Sequence, residues 1–335
     1  MTTFCVTGAN GRIGRVLIEE LTDASEHRVR CMVRPGDPFA DRLGTSVEVV
    51  EASLTDGDAI SHAVSDADVV VHLAAQMALA DTPIEQYYDI NVMGTLRVLE
   101  AAVDRAHPAR RFVYASTDAT YGPMRPAFTP ITEDHPQIPG DYYGTSKLLC
   151  EQLVRNYGTL HDLPYTILRF GTALAPHESV SWFRLDWLRA LLSSQISIGR
   201  RSNIWQLFDE VDDVMGSLER QVGGRTDNPA VVVVGPSGEP WSMQMSDVRD
   251  TVAGTLLSLE HDRAVNEDFN IVGPGTTTFS EGAAVVADQY DLDTVTVEMP
   301  MTMAFELSID KASRLLGYKP QHDFASMVKT GAQNG

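Results

Sequence analysis

Residues 4–14 read Phe4-Cys5-Val6-Thr7-Gly8-Ala9-Asn10-Gly11-Arg12-Ile13-Gly14: a short apolar run, a glycine turn and the opening of a helix. Ile13, Val16, Leu17 and Leu21 then recur at helical spacing, so the period changes from strand to helix across the turn. Glycines at 8, 11 and 14 permit a tight turn, close approach of a pyrophosphate and close packing of helix on strand. The helix N-terminus beyond them offers unpaired N–H groups and the positive end of its dipole. Gly8, Asn10, Gly11, Arg12, Ile13 and Gly14 are therefore expected to hold a dinucleotide.

Outward from that turn the same alternation repeats. Apolar runs at 29–33, 47–50, 68–72, 111–115 and 165–169 read as strands, and 56–64, 86–104 and 143–157 as helices. Strands this short and apolar, separated by helices, predict a parallel sheet covered on both faces. The fold class is α/β: a Rossmann-type doubly wound parallel sheet with a smaller C-terminal substrate lobe. The expected division is a dinucleotide-binding domain over 1–170 with late returns near 230–260, a mainly substrate-binding lobe over 171–328, and a frayed tail from Lys329 (329–335). Within the lobe, 182–192 and 205–222 read as helices, the latter with Trp205, Phe208, Val211, Met215 and Leu218 inward.

Composition excludes several classes. The 335 residues carry a formal charge of -20, which would repel nucleic acid and disfavours an anionic membrane surface. Only four of the 26 basic residues are lysines, a surface that fits either a salt adaptation or an ordinary acidic enzyme. Cys5, Cys31 and Cys150 are scattered, odd in number and without paired spacing, so neither a disulfide framework nor a metal site is expected. No run approaches the ~18 apolar residues of a membrane span. The first strand begins almost at Met1, so no signal peptide is expected and the cytoplasm is the expected location.

Tyr143-Gly144-Thr145-Ser146-Lys147 places a phenol and an ammonium on one helix face. An ammonium beside a phenol is expected to lower its pKa, which suits proton exchange with an alcohol or carbonyl. Tyr-x-x-x-Lys also arises by chance on solvated helix faces, so its meaning rests on the glycine turn upstream. The second strand ends Val33-Arg34-Pro35, with no acidic residue for an adenosine ribose 2′-hydroxyl. Arg34 and Arg12, two guanidiniums without a carboxylate, favour NADP, with NAD the alternative.

These residues together resemble the extended short-chain dehydrogenase/reductase family, also called the NAD-dependent epimerase/dehydratase family. The glycine turn, Leu73-Ala74-Ala75, Asn91-Val-Met-Gly94-Thr95, Tyr114-Ala-Ser116-Thr117 with Tyr121-Gly122, Tyr143 with Lys147, and Leu168-Arg169-Phe170 stand in that family's order and spacing. Later landmarks are Ser246-Asp247-Val248, Phe269-Asn-Ile-Val272, and Asp310-Lys311-Ala312 with Leu316-Gly317-Tyr318.

The resemblance implies a catalytic set. Thr117 would bond the substrate oxygen, Tyr143 would be the acid/base, and Lys147 would bond the nicotinamide ribose. Leu73, Ala74 and Ala75 would pass the adenosine ribose and pyrophosphate. Leu54 or Asp56 would replace the Asp that many relatives place where Ser53 stands, and Asn91 would play a minor supporting part. Ser116, Asp118, Gly171 and His177 are candidate substrate contacts; Asp118 serves equally well as a cap or turn residue.

Departures narrow the substrate. The arginines that hold a diphosphate in nucleotide-sugar epimerases are missing: Gly238-Glu239-Pro240-Trp241 stands at one place and 298–305 at the other. The leading expectation is an NAD(P)-dependent oxidoreductase of a secondary alcohol/ketone on a small sugar-like or polyhydroxylated substrate. The alternative is an epimerase or dehydratase acting through a transient keto intermediate, and a minor one is a non-catalytic dinucleotide sensor. The resemblance also implies a homodimer through helices 86–104 and 143–157.

Overall fold

The computed structural model describes residues 1–23, 27–38, 47–77, 82–103, 108–202, 204, 205, 207 and 211–333. Seven strands form one sheet in the order Glu267–Ile271, Tyr165–Phe170, Arg111–Thr117, Val69–His72, Thr2–Thr7, His27–Val33, Val47–Glu51. All six pairings are parallel. The chain starts in the middle of the sheet and its order reverses between Thr2–Thr7 and Val69–His72. A crevice opens there, beyond the carboxyl ends of the strands.

Both sheet faces are covered, which is why the strands read as unbroken apolar runs. Phe4 and Val6 pack with Leu17, Leu21, Val252, Ala312 and Leu316 on one face, under helices Arg12–Asp23, Val248–Glu260 and Asp310–Leu316. Cys5, between them, points to the opposite face with Ile60, Leu99, Cys150 and Val154 from helices Gly57–Val64, Met93–Val103 and Tyr142–His161. The period of two thus assigns neighbouring residues to different cores. Each fully buried Val or Leu contributes about 1.5–3 kcal/mol.

The long helix expected over 86–104 starts at Ile84 and passes through a π segment, Tyr87–Val92, before Met93–Val103; its last expected residue, Asp104, lies outside the described residues. The segment changes what Asn91 can reach. Its carbonyl accepts from Cys150 Sγ (3.3 Å), and its side chain donates to Ser146 Oγ (2.9 Å) and bonds both backbone groups of Gln76. Asn91 thereby ties the loop after Val69–His72 to the helix that carries Tyr143 and Lys147.

A second core gathers Leu185–Ile198, Val214–Val222, Phe279–Tyr290 and Phe324–Gln333 around Phe183, Trp241, Met299 and Met303. Ala230–Val234, expected to return to the large sheet, instead pairs in parallel with Thr294–Glu298 in this second core. The true returns are Val248–Glu260, Glu267–Ile271 and Asp310–Leu316. Of the helix expected over 205–222, Val214–Val222 is helical, capped by Asp213; Phe208 lies outside the described residues. The tail expected to fray from Lys329 is helical to Gln333, because Phe324, Met327 and Val328 are buried against the second core.

Candidate functional site

The glycine turn lies at the switch point. Gly8 has φ +70°, and a β-carbon on it would stand 2.8 Å from the Ala74 nitrogen. A β-carbon on Gly14 would stand 2.5 Å from the Gly8 carbonyl oxygen. Turn, helix and neighbouring strand therefore close on one another only because the side chains are missing. Leu73 N–H donates to the Thr7 carbonyl (3.3 Å) and Ala74 N–H to the Thr7 hydroxyl (3.2 Å), which lays 73–75 along the turn. Beneath it, buried His72 bonds Thr7 Oγ1 through Nδ1 (2.7 Å) and Thr95 Oγ1 through Nε2 (3.0 Å). Burial, helped by Lys147, pushes the His72 pKa down to about 3, so this staple is neutral. The first turn of Arg12–Asp23 holds no acidic side chain. The open cradle and this helix N-terminus fit a dinucleotide pyrophosphate.

The side chains around the turn are arranged differently from the sequence expectation. Arg12 swings to the other lobe, donating to the Ala173 carbonyl (2.8 Å) and pairing with Glu178 (2.5 Å). Asn10 is held by Arg15 (2.9 Å) and by the Asp37 carboxylate (2.5 Å). A carboxylate thus sits against the glycine turn four residues beyond Val33, while Arg34 stays exposed. Leu54 is buried against Gly94, and its carbonyl accepts from Arg97 (3.0 Å). Asp56 is engaged as the N-cap of Gly57–Val64.

The Tyr143 helix is seated by its first turn. Asp141 caps it, accepting from Gly144 N–H at 2.6 Å. A β-carbon on Gly144 would lie 2.5 Å from the Ala119 carbonyl oxygen, so the helix abuts the turn Asp118–Tyr121 that follows Thr117. Thr117 ends the fifth strand; its hydroxyl accepts from Ala119 N–H (3.2 Å) and donates to Asp118 Oδ1 (3.1 Å). The Tyr143 hydroxyl has Met77 Sδ at 3.6 Å and the Thr117 hydroxyl beside it. Lys147 is buried with its Nζ 4.3 Å from the Tyr114 ring centroid. Burial brings the Lys147 pKa down to about 8.

The expected lowering of the Tyr143 pKa does not hold: the shift is upward. Burial raises it, the Asp118 and Asp141 carboxylates raise it further, and the Thr117 hydroxyl opposes them. Asp118 itself is pushed up to about 6 by burial, against bonds from Thr117 and Ala119 N–H.

Of the candidate substrate contacts, Asp118 and Gly171 come together: a β-carbon on Gly171 would lie 3.7 Å from Asp118 Oδ2. Ser116 does not join them. It shares a sheet face with Phe112 and Tyr114, so its hydroxyl points under the Tyr143 helix and donates to Glu151 (2.5 Å). His177 is exposed on the short helix Pro176–Ser179, beside Glu178. The aromatic and arginine cluster 182–189 is structural: Phe183 packs on Phe279 and Phe324, and Arg189 is held by Glu219 and Asp186. Sequence reasoning missed Asp37, Glu178 and Met77; Glu178 is 166 residues from Arg12 and carries no local signal. Among the described residues no three His, Cys, Asp or Glu side chains converge as a metal would require.

The family model for the NAD dependent epimerase/dehydratase family matches residues 4–272. The chain belongs to that family. It is an NAD(P)-dependent enzyme of the extended short-chain dehydrogenase/reductase type, whose members include both dehydrogenases and epimerases. The chain is 28% identical over 271 residues to a UDP-glucose 4-epimerase of Rhizobium meliloti, covering 78% of this chain and 75% of that one. It is 33% identical over 189 residues to an L-arabinose 1-dehydrogenase (NAD(P)(+)) of Haloferax volcanii, covering 53% and 70%. Among solved structures, a short-chain dehydrogenase/reductase superfamily protein from Agrobacterium tumefaciens with bound NAD superposes with a TM-score of 0.83 at 30% identity, covering 99% and 96%.

Proposed function

We propose that this family member is an NAD-dependent dehydrogenase interconverting a secondary alcohol and a ketone on a small, polyhydroxylated, sugar-like substrate that carries no nucleotide. The observation that carries the reading is the state of the two diphosphate positions. Glu239 is exposed on a hairpin, Trp241 turns into the second core with its Nε1–H on the Met301 carbonyl (2.7 Å), and Met299 and Met303 are buried there too. Neither place offers a guanidinium. The arabinose dehydrogenase of Haloferax volcanii, a relative that acts on a free sugar, supports the same view.

NAD is favoured over NADP by the engagement of Arg12 with Glu178, by the Asp37 carboxylate at the glycine turn, and by the NAD held in the Agrobacterium structure. When bound, the dinucleotide accepts hydride at nicotinamide C4. The glycine turn and the N-terminus of Arg12–Asp23 hold its pyrophosphate. Buried Lys147 orients the nicotinamide ribose, Thr117 positions the substrate oxygen, and Tyr143 exchanges the proton. Exposed Leu149 on the Tyr142–His161 helix suits a homodimer interface.

Incubation with NAD and a panel of free sugars and polyols should produce reduced nicotinamide, which Tyr143→Phe should abolish. A second reading, a nucleotide-sugar epimerase, is favoured by the likeness to the Rhizobium enzyme over 78% of this chain. Inversion of a UDP-sugar without net nicotinamide reduction would establish it and overturn the dehydrogenase reading.

A further inference from the structure

Arg12 opens the helix that follows the first strand, yet its side chain leaves the glycine turn and reaches residues that follow a strand further along the sheet. Between Thr2–Thr7 and Tyr165–Phe170 lie the ends of Val69–His72 and Arg111–Thr117, and Ala173 and Glu178 come after Tyr165–Phe170. Three strand spacings amount to about 14 Å. The two ends that are spanned carry the Leu73 to Ala75 loop and Thr117.

The contact uses the whole guanidinium. Arg12 Nη1 donates to the Ala173 carbonyl (2.8 Å), Nη2 donates to Glu178 Oε1 (2.5 Å), and Nε pairs with Glu178 Oε2 (2.5 Å). A two-point arginine–carboxylate pair is the strongest and most directional form of such a bond. Glu178 is held ready for it, because Oε2 also accepts from Ala175 N–H (2.7 Å) at the start of Pro176–Ser179. That short helix rests on Phe324–Gln333, where a β-carbon on Gly331 would stand 2.2 Å from the Pro176 carbonyl oxygen. Phe324, Met327 and Val328 fix Phe324–Gln333 in the second core. One end of the pair therefore belongs to the dinucleotide turn, and the other is carried by the second core. A dinucleotide that reaches from the glycine turn to Lys147 must pass the same two strand ends.

We propose that the Arg12–Glu178 pair is a strap that gates the dinucleotide, parting to admit it and parting again to release it. The inference rests on the cofactor assignment above and deepens it. All three bonds join groups of the chain itself, so closing the strap needs no ligand, and opening it is a step in both directions. A dehydrogenase exchanges its dinucleotide in every cycle, which places that opening on the path of turnover. Glu178 governs the exchange without touching the reacting atoms.

The purified full-length chain and NADH test this by stopped-flow fluorescence, with no alcohol present. Glu178→Gln keeps an acceptor for Ala175 N–H and removes the charge. Association and dissociation of NADH should both quicken by about fivefold, the ceiling for a partly exposed ion pair, while their ratio, the Kd, stays the same. Added salt should quicken wild-type dissociation toward the rate of the variant and leave the variant unmoved, because salt screens the pair. Unchanged rates in Glu178→Gln would overturn the proposal. Faster dissociation with unchanged association would overturn it too, since the pair would then be an ordinary contact and not a gate. If Glu178→Gln fails to fold, Glu178→Asp, one methylene short of Arg12, carries the same expectation, and the wild-type salt response is read regardless. Gated rates in a protein that oxidises no alcohol would overturn the dehydrogenase reading and leave the strap standing.

Discussion

Replacing Glu151 by Gln should destabilise the chain far more than removing the ion pair beside it. Glu151 lies one turn after Lys147 and is fully buried. Its carboxylate accepts from Arg169 twice (3.0 and 2.8 Å), from Ser116 (2.5 Å), Gln137 (2.9 Å) and Arg155 (3.2 Å). Glutamine keeps the shape, removes the charge and turns an amide donor toward some of these donors. Breaking a buried pair costs about 3–5 kcal/mol. The lower end applies, because Arg169 keeps Asp268 at 2.7 Å. At roughly 2 °C per kcal/mol for chains of this size, the melting temperature should fall by about 6 °C. Arg155→Ala is the internal control: Arg155 is 29% exposed, and its loss should cost no more than about 0.5 kcal/mol. Burial alone would raise the Glu151 pKa, but Arg169 outweighs it and the net shift is downward. Its contribution is therefore complete above the unfolded carboxyl pKa, about 4.3, and fades as pH falls through the lower folded value. The gap between wild type and Glu151→Gln should narrow in that acid range. Scanning calorimetry at neutral and acid pH reads both effects. A Glu151→Gln protein melting within about 1 °C of the wild type at pH 7 would refute the claim that this carboxylate anchors the Tyr143 helix.

Gly144→Ala should push the helix start away from the Ala119 carbonyl and cut turnover by at least about tenfold while NAD still binds through the glycine turn; steady-state kinetics and a dinucleotide titration would separate the two, and unchanged turnover would contradict the close-approach argument. Glu178→Ala should release Arg12 and raise NADP affinity relative to NAD by roughly tenfold, about one charge-assisted hydrogen bond; fluorescence titration with both dinucleotides checks it, and an unchanged ratio would count against Glu178 as the group that withholds Arg12. His72 has a folded pKa of about 3, below its unfolded value, so its stabilising part is present above about pH 6.5 and is lost as pH falls toward 3 at about 1.4 kcal/mol per unit. Melting curves of His72→Asn should accordingly show a shallower acid dependence than those of the wild type.

The strands, the glycine turn and the Tyr143–Lys147 pair were legible in the chain because each rests on neighbours along it. Period two or 3.6, a Gly-x-x-Gly-x-x-Gly run and an i,i+4 spacing survive without tertiary knowledge. The π segment at Tyr87–Val92 was not legible, and neither were the bonds that Asn91 makes there with Gln76, Ser146 and Cys150, which are 15 to 59 residues away in sequence. Ala230–Val234 reads as a buried strand anywhere; only the second core decides that its partner is Thr294–Glu298. Side-chain direction marks the deeper limit. Ser116 and Thr117 are adjacent hydroxyls, and the pleat sends the first to Glu151 and leaves the second beside Asp118 and Tyr143. Arg12 and Arg34 looked alike as phosphate ligands until Glu178, distant in sequence, took one of them. Electrostatics is decided in the same way: Tyr143 and Lys147 share a helix face by spacing, but burial raises the phenol, and Asp118 adds to it from a turn that only folding brings against that helix.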